Sequence, residues 1–568
     1  MKTDSVRVAK QNVASIDAPV LGARRRACLF VLCLTLVIVS LDSTILNIAI
    51  PTLVNVLKAT NTQLEWIVDS YAIVSAGLLI FAGNLGDRFG RKLMLIIGTV
   101  IFGMGSLGSA FSGSVGMLIA SRAVMGIGTA CIMPATLAII TNIYRRQGER
   151  ALAIGIWSGT EGFGLAVGPI VGGWLLAHYW WGSVFLVNVP ISLLGIIGAL
   201  ILIPESKNID AHRIDWPGVI LSIAGISAVL WGIIEAPNRG WHSLEVVMTT
   251  LGGLLIIGLF IMWESKSANP MLNLSFFKKR RFSAPMVSVA LIIFTLMGVL
   301  FVMTQYLQFS LGYSAMGAGF RVLPVAIVLG IAAPISTVLD RILGSKVVVT
   351  LALLCVAAGL FYLATTTPSS TYGTALVGMI VVGIGAGLAF PPATESIMGS
   401  LPRESTGVGS AANSSVMQLG GALGVGVIGS ILATRYQAII LGDLKGHTIP
   451  APALSAIKGS LGGALEVAKI VGGQQGSALA SASRSAFISG MDQGLIVGAV
   501  VVVVAAVIAL FTLPSRPEKP SFTPGLSKER RNTNSQAIHY DPTQPNTEAV
   551  VPFSSINSDS SRLADEAT

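Results

Sequence analysis

Charge is scarce in this chain: 11% of its 568 residues are Asp, Glu, Lys or Arg, whereas 53% are hydrophobic. Soluble domains carry roughly a quarter charged residues, and a fold of this size could not cover its surface with so few. A water-soluble protein is thereby excluded. Cysteine is as sparse. Cys28, Cys33, Cys131 and Cys355 each lie inside an apolar run, so neither a disulfide framework nor a paired-cysteine metal site is available. No GxxxxGK[ST], HExxH or GxSxG string occurs, so an ATP-driven pump or a membrane hydrolase has no basis in these residues. The net charge of +10 is spread in short clusters at the ends of apolar runs rather than along one stripe, which argues against nucleic acid and for membrane topology.

What the chain does have is apolar runs of the length that crosses a bilayer. A helix needs about 20 apolar residues for the roughly 30 Å hydrocarbon core, and division at polar and Pro/Gly-rich breaks predicts fourteen spans, from Cys28–Pro51 to Leu495–Leu513. Lys and Arg favour the cytoplasmic side of such spans. Arg24, Arg25 and Arg26 precede the first span, Arg88, Arg91 and Lys92 follow the second, Arg145, Arg146 and Arg150 follow the fourth, and Lys278 to Arg281 precede the ninth. Both termini are therefore expected in the cytoplasm, with a retained N-terminus, since the first apolar run is too long for a signal-peptide core. The expected layout is an N-terminal segment 1–27, six helices over 28–204, two inserted helices with their loops over 205–281, six more over 282–513, and a disordered, Ser/Asn/Pro-rich tail 514–568. The Gly/Ala/Ser-rich stretch 435–492, on the outer side, reads as a solvated cover, with amphipathic helices as the alternative.

An internal echo supports two halves. Asp87-Arg88-Phe89-Gly90-Arg91-Lys92 returns as Asp340-Arg341-Ile342-Leu343-Gly344-Ser345-Lys346, and Gly126-Ile127-Gly128 before Pro134-Ala135-Thr136 returns as Gly383-Ile384-Gly385 before Pro392-Ala393-Thr394. The two offsets are nearly equal, as one shifted half-chain requires. Parallel repeats about an axis along the membrane normal are the plan of alternating-access carriers, whose substrate site lies near the midplane between halves.

These strings resemble those of the major facilitator superfamily, and specifically its fourteen-span drug:proton antiporters of the QacA/EmrB type. The resemblance runs from about Arg26 to Pro514. It is carried by the loop Gly83-Asn84-Leu85-Gly86-Asp87-Arg88-Phe89-Gly90-Arg91-Lys92, by Ser121-Arg122-Ala123-Val124-Met125-Gly126 in span four, and by Gly164-Leu165-Ala166-Val167-Gly168-Pro169-Ile170-Val171-Gly172-Gly173 in span five. Leu41-Asp42-Ser43-Thr44-Ile45-Leu46-Asn47 in span one and Trp66-Ile67-Val68-Asp69-Ser70-Tyr71 in span two are similar to the same group. The resemblance implies an all-α major facilitator fold of two six-helix bundles with two extra central helices. It implies a cytoplasmic gate at Gly83, Asp87, Arg88, Gly90, Arg91 and Lys92, and an antiporter helix at Gly164, Gly168, Pro169, Gly172 and Gly173. Arg122 is implied in proton transfer.

Carboxylates inside spans are costly and mark function. Asp42 lies about 14 residues into its span, roughly 21 Å from the cytoplasmic end, and Glu161 about ten residues into span five, roughly 15 Å deep. A carboxyl held away from water either takes a proton or holds a cation, which is the exchange an antiporter needs. Asp42 has a second reading, a helix-capping or Asn47-linked structural role, Glu161 one as well, neutralising Arg122 from the adjacent helix, and Arg122 another, bonding backbone carbonyls. Asp69, about one turn inside the outer boundary, reads either as a coupling group or as a solvated one. Glu235, Glu395 and Arg321 read as interfacial. Trp157, Phe163, Tyr306 and Phe309 could line an amphipathic cavity or face lipid. Span thirteen offers only neutral polar side chains, with Asn413 and Gln418 as cavity candidates, so neutral or monocationic substrates fit better than dications. The expectation is proton-driven export of amphipathic small molecules by a monomer in the bacterial cytoplasmic membrane. No metal or cofactor beyond the proton gradient, no nucleic acid and no enzymatic step is expected. The alternative is an exporter of the same fold dedicated to one metabolite, antibiotic, lipid or siderophore of the cell.

Overall fold

A computed structural model describes residues 22–513 other than 145, 208–214, 268–269, 271–273, 279, 401–405 and 446–448. Fourteen helices among the described residues are long and apolar enough to cross a membrane. In chain order they are α1 (Gly22–Leu57), α2 (Asn61–Phe89), α3 (Arg91–Ala110), α4 (Val115–Ile143), α5 (Gln147–His178) and α6 (Ser183–Leu202). The inserted pair follows as α7 (Trp216–Arg239) and α8 (Leu244–Lys266). Then come α9 (Arg280–Ser310), α10 (Ala315–Leu343), α11 (Ser345–Leu363), α12 (Tyr372–Gly399) and α13 (Thr406–Asp443). Two short helices, α14 (Ala451–Gly459) and α15 (Leu461–Val471), precede the last span, α16 (Gly473–Thr512). The predicted tail 514–568 and the segment 1–21 lie outside the described residues.

Short polar residues start these helices where the chain leaves an apolar run. Thr60 and Gln63 close a capping box on α2, and Ser114, Asp215, Ser243 and Ser314 accept from the first turns of α4, α7, α8 and α10. Such caps satisfy amides that hydrocarbon would leave bare. The turns after α2 and α10 each hang on a glycine with positive φ, Gly90 at +125° and Gly344 at +82°, a conformation that L side chains rarely adopt. Both belong to the echoed strings, so the repeat reaches the backbone.

It also reaches the packing. In the first half α1 lies on α5, and α4 packs on both α2 and α3; in the second α9 lies on α13, and α12 packs on both α10 and α11. The last helix of each half, α6 or α16, closes against the first and third. The halves meet crosswise, α5 on α10 and α2 on α13. Of the inserted helices, α7 sits against α2 and α13, and α8 packs on α7. Fourteen crossings return the chain to the face where it began, termed here the terminal face; the opposite one is the loop face.

The stretch 435–492 differs from the solvated cover expected of it. α13 runs on to Asp443, α16 begins at Gly473, and α14 and α15 lie between them with Ile457, Leu461, Ala464 and Ala468 buried. Tyr436 donates its hydroxyl to the Ile457 carbonyl at 2.8 Å, and Gly462 lets α15 approach Val54 and Phe309. Small residues read as linker by composition because their value lies in close approach, which hydropathy does not register.

Candidate functional site

Midway along α1, Ser40, Ser43 and Thr44 turn their hydroxyls onto carbonyls of their own helix. Asp42 has no such partner within its helix and faces α4, where Arg122 donates Nη1 to Asp42 Oδ2. Both are withdrawn from solvent, Asp42 at 0% and Arg122 at 2% exposure. Arg122 also donates Nε to the Ile67 carbonyl at 3.1 Å, and its guanidinium carbon stands 4.4 Å from the Tyr71 ring centroid. On the far side Asn188 of α6 donates Nδ2 to Asp42 Oδ1 at 3.4 Å and to Ser106 Oγ at 3.2 Å, and Ser106 donates to the Phe185 carbonyl at 2.9 Å. A buried charge pair survives only when the remaining donors and acceptors are also matched, and this chain of contacts largely does that. Beyond the ion pair, Arg122 has the Ile67 carbonyl and the Tyr71 face as further partners that do not depend on the charge of Asp42.

Arg122 therefore joins Asp42 as well as a backbone carbonyl, and the neutralising partner is not Glu161. Glu161 is half-buried on the stretch of α5 nearer the terminal face, where a side chain built at Gly155, Gly159 or Gly162 meets no atom within 4 Å. Phe163 is exposed beside it, and Trp157 is buried, donating Nε1 to Thr136 at 3.2 Å. On α13, Asn413 is buried with Oδ1 unmatched, and Gln418 is half-buried. Tyr306 is buried and bonded to the Ser370 carbonyl, and Phe309 packs under α15, so neither faces a cavity between the halves. Glu395 is exposed. Arg321 is half-buried, its guanidinium 3.6 Å from the Tyr313 centroid. Glu235 accepts from Trp66 at 3.2 Å and pairs with Arg239. Asp69 is fully buried, which removes the reading as a solvated residue.

The other half of α5 is a packed seam. A Cβ on Gly164 would strike Ser40, on Gly168 Thr44 and the Leu41 carbonyl, and on Gly172 Ile45, so one glycine face lies on α1. Gly173 meets the backbone of Met316, and Gly319 of α10 meets the Pro169 carbonyl, so the opposite face joins the second half. This junction lies toward the loop face. So do Gln308, donating to the Ile48 carbonyl at 3.0 Å, Ser430, 3.1 Å from Glu65, and Lys58, 2.5 Å from Glu466. At the terminal face, Arg91 pairs with Asp87 at 2.7 Å across the Gly90 turn and reaches the Ala138 carbonyl at 3.4 Å. Lys92 donates Nζ to the Leu200 carbonyl at 2.8 Å, and Glu205 accepts from the Lys92 amide at 3.3 Å. Arg88 lies over Phe89, and Gly83 rests on Pro134. The bonds of Arg91, Lys92 and Glu205 tie the turn to α4 and α6 of its own half.

Sequence profiles agree with this architecture: that of the Major Facilitator Superfamily matches residues 32–425. The chain belongs to the major facilitator superfamily. Among relatives of this superfamily chain is the methyl viologen resistance protein SmvA of Salmonella typhimurium, 34% identical over 82% of this chain and 93% of the relative. The multidrug efflux pump LfrA of Mycolicibacterium smegmatis is 32% identical over 84% of this chain and 94% of its own. The tetracenomycin C resistance and export protein of Streptomyces glaucescens is 31% identical over 89% and 95%. Among solved structures, a bacterial homologue of the human lysosomal transporter Spinster superposes with a TM-score of 0.60 at 18% identity, covering 86% of this chain and 97% of that one. The D-xylose–proton symporter gives 0.55 at 14%, covering 86% and 98%. These likenesses show the fold. The chain is thus a transporter and a multi-pass inner-membrane protein of the superfamily.

Several groups around the site escaped the sequence reading. Asn188 and Ser106 are neutral and sit in apolar runs, where nothing distinguishes a carboxylate partner from a packing residue. Glu65 lies so near the start of its span that composition reads it as interfacial. Glu205 lies after α6, and its contact with the Gly90 turn needs the fold.

Proposed function

We propose that this transporter exports amphipathic cationic or neutral small molecules in exchange for protons, by alternating access, with Asp42 and Arg122 as the coupling pair. The observation that carries the proposal is the ion pair itself: a carboxylate midway along α1 and a guanidinium two turns into α4, both with almost no solvent contact. A buried ion pair is weak support for stability, since apolar residues of like volume often serve better. Its use lies in having two states. Proton uptake by Asp42 releases Arg122; proton loss restores the pair. Glu161, on the unpacked stretch of α5, is the group that meets a cationic substrate, and Asn413 and Gln418 give the second half neutral polar contacts. Asp69 belongs to a separate outer position.

The positive clusters place the terminal face in the cytoplasm. Closure at the loop face then corresponds to a carrier open toward the cytoplasm, the side from which an exporter loads. Asp87, Arg91 and Lys92 form the gate of that side, engaged across the halves when the carrier faces outward, with Gly83, Arg88 and Gly90 shaping the turn. The superfamily relatives support efflux: one is named for methyl viologen resistance and another as a multidrug efflux pump. The tetracenomycin C relative supports the second reading, an exporter dedicated to one compound. Methyl viologen is a dication, so the absence of acids between Ala412 and Leu419 does not by itself exclude that class, and the test includes it.

The deciding experiment is efflux from energised cells of ethidium and, separately, methyl viologen. It compares the native chain, a protonophore-treated sample and Asp42→Asn at matched membrane abundance. Protonophore-sensitive efflux that is lost in Asp42→Asn is expected. Efflux indifferent to the proton gradient overturns the mechanism, and no efflux of either dye favours the dedicated exporter.

A further inference from the structure

The loop-face half of α2 holds two carboxyls that the Asp42 site does not use. Glu65 and Asp69, four residues apart and so on one face of the helix, are both at 0% exposure. Neither oxygen of Asp69 has a hydrogen-bond partner, and neither does Glu65 Oε1. They lie against the small-residue face of α13: a Cβ on Gly426 would come 3.3 Å from Asp69 Oδ2, and one on Gly429 would come 2.7 Å from Glu65 Oε1. The seam between the two halves is therefore closed directly over a pair of acids.

Among the described residues, the groups around them supply no balancing cation. From α7, Glu235 is the charged neighbour of Glu65, and it is already bonded to Trp66 and Arg239. From α4 comes Arg122, committed to Asp42 and the Ile67 carbonyl. On α13 the facing polar group is Ser430, and the charged residues of that helix, Arg435 and Asp443, lie beyond it toward the loop face. α3 carries its charges, Arg91 and Lys92, at the terminal face, as α1 does Arg24, Arg25 and Arg26, and the remaining charge of α1, Asp42, is bonded to Arg122. The Ser430 hydroxyl is informative. It stands 2.5 Å from the Gly426 carbonyl and 3.1 Å from Glu65 Oε2. That hydroxyl is shared between the two acceptors, so the one donor within reach of Glu65 is already partly spent on a backbone carbonyl.

We propose that Glu65 and Asp69 form a proton-binding site in the α2–α13 seam, and that protons taken up there from the outer medium hold the loop face shut. Two ionised carboxylates could not share a dry seam without a counter-ion, whereas two carboxylic acids can. Parting of the halves draws Gly426, Gly429 and Ser430 away, admits water, and lets both acids ionise. Reclosure needs both protons back. Because they enter and leave at the same face, they are not carried across the membrane; they make the closed fraction depend on outer acidity. A metal ion would need a cage of about six oxygens, and the seam offers two carboxyls and one hydroxyl. The proposal uses the alternating access of the fold and the outer placement of the loop face, but neither the drug nor the role of Asp42.

The test reads the seam without transport. Ala433, buried and seven residues beyond Gly426 on the same face of α13, is replaced by Cys, and its labelling by a membrane-impermeant thiol reagent is measured on intact cells at outer pH of about 6 and about 8.5. Rates are divided by those of Ala438→Cys, which is exposed on the same helix; the native chain, with its own four cysteines, is the blank. The normalised rate is expected to rise at least about tenfold at the alkaline pH, as protons leave. In a Glu65→Gln/Asp69→Asn background it should stay low at both. A native seam indifferent to pH overturns the proposal, as does an equal response in the double variant, or a response to outer sodium at fixed pH. An Ala438→Cys chain that cannot be labelled from outside overturns the outer placement on which the proposal rests, while drug efflux stays a separate readout. If Ala433→Cys fails to reach the membrane, hydrogen exchange over residues 61–72 and 424–434 of the native and double-variant proteins replaces it. Once each rate is divided by the intrinsic base-catalysed rate at that pH, loss of protection at alkaline pH in the native protein alone is expected, and equal loss in both overturns the proposal.

Discussion

Arg122→Gln leaves Asp42 buried with only Asn188 donating to it, so the cost falls on the carboxylate rather than on the lost attraction. Breaking a buried pair from one side typically costs about 3–5 kcal/mol, because the abandoned charge stays unpaired. Arg122→Gln is therefore expected to lower the melting temperature of the purified protein strongly, and adding Asp42→Asn should recover much of the loss without recovering efflux. A double variant no more stable than the single one would show that the ion pair is not what Arg122 supports. Asn188→Ala removes two long hydrogen bonds, to Asp42 and to Ser106, each worth about 1 kcal/mol net, and is expected to reduce proton-driven efflux several-fold rather than abolish it. Efflux equal to native at matched abundance would remove Asn188 from the coupling group. The contrast shows what the sequence discloses at this scale. Asp42 and Arg122 stand out because hydrocarbon makes each of them expensive. Asn188 carries no such cost, and the pairing of Arg122 with Asp42 instead of Glu161 depends on which faces of α1, α4 and α5 converge.

Among the elements, α5 has two unlike halves. At Gly168 a Cβ would stand 3.0 Å from the Leu41 carbonyl and 3.3 Å from the Ile45 amide nitrogen, backbone atoms that cannot swing aside, whereas at Gly155 it would meet nothing within 4 Å. Gly168→Val is therefore expected to force α5 off α1, with the loss of about 1–3 kcal/mol typical of an overpacked core, read as a lower melting temperature and lower membrane abundance. Gly155→Val should leave both near native. Equal damage from the two would mean that the valine side chain itself, and not the seam, is at fault. Spans of this kind are legible because hydropathy counts what lipid must accept, and the glycine string of α5 is legible as close packing. Which helix each glycine faces is not, since α1 and α10 take opposite sides of one helix. α14 and α15 are legible only as the second of two readings of their stretch, for a related reason. Their Gly, Ala and Ser residues gain from burial against Val54, Phe309 and Tyr436, which come from distant parts of the chain.

At the scale of the whole molecule, the repeat was readable as two echoed strings and proves to be an equivalence of packing partners, with Gly90 and Gly344 in corresponding turns. An arrangement in which α5 meets α10 and α2 meets α13 suits rocking of one half against the other about a central site. Such motion must open the loop face, and there α15 crosses from the second half to the end of α1, where Lys58 and Glu466 meet at 2.5 Å. The pair is well exposed, so its charges are worth little, about 0–1 kcal/mol, and Lys58→Ala/Glu466→Ala should keep most of its efflux. A covalent tie at the same place acts differently, because it forbids the outward-open state instead of merely weakening the closed one. Lys58→Cys/Glu466→Cys is expected to lose efflux when a bifunctional methanethiosulfonate as long as the Lys–Glu pair joins its two thiols, since a direct disulfide needs closer backbones, and to regain it with reductant, while the native cysteines, all within α1, α4 and α11, give no such response. Efflux that persists in fully cross-linked protein would mean that this contact does not part during transport, and would move the opening of the loop face elsewhere along the α2–α13 and α5–α10 seams.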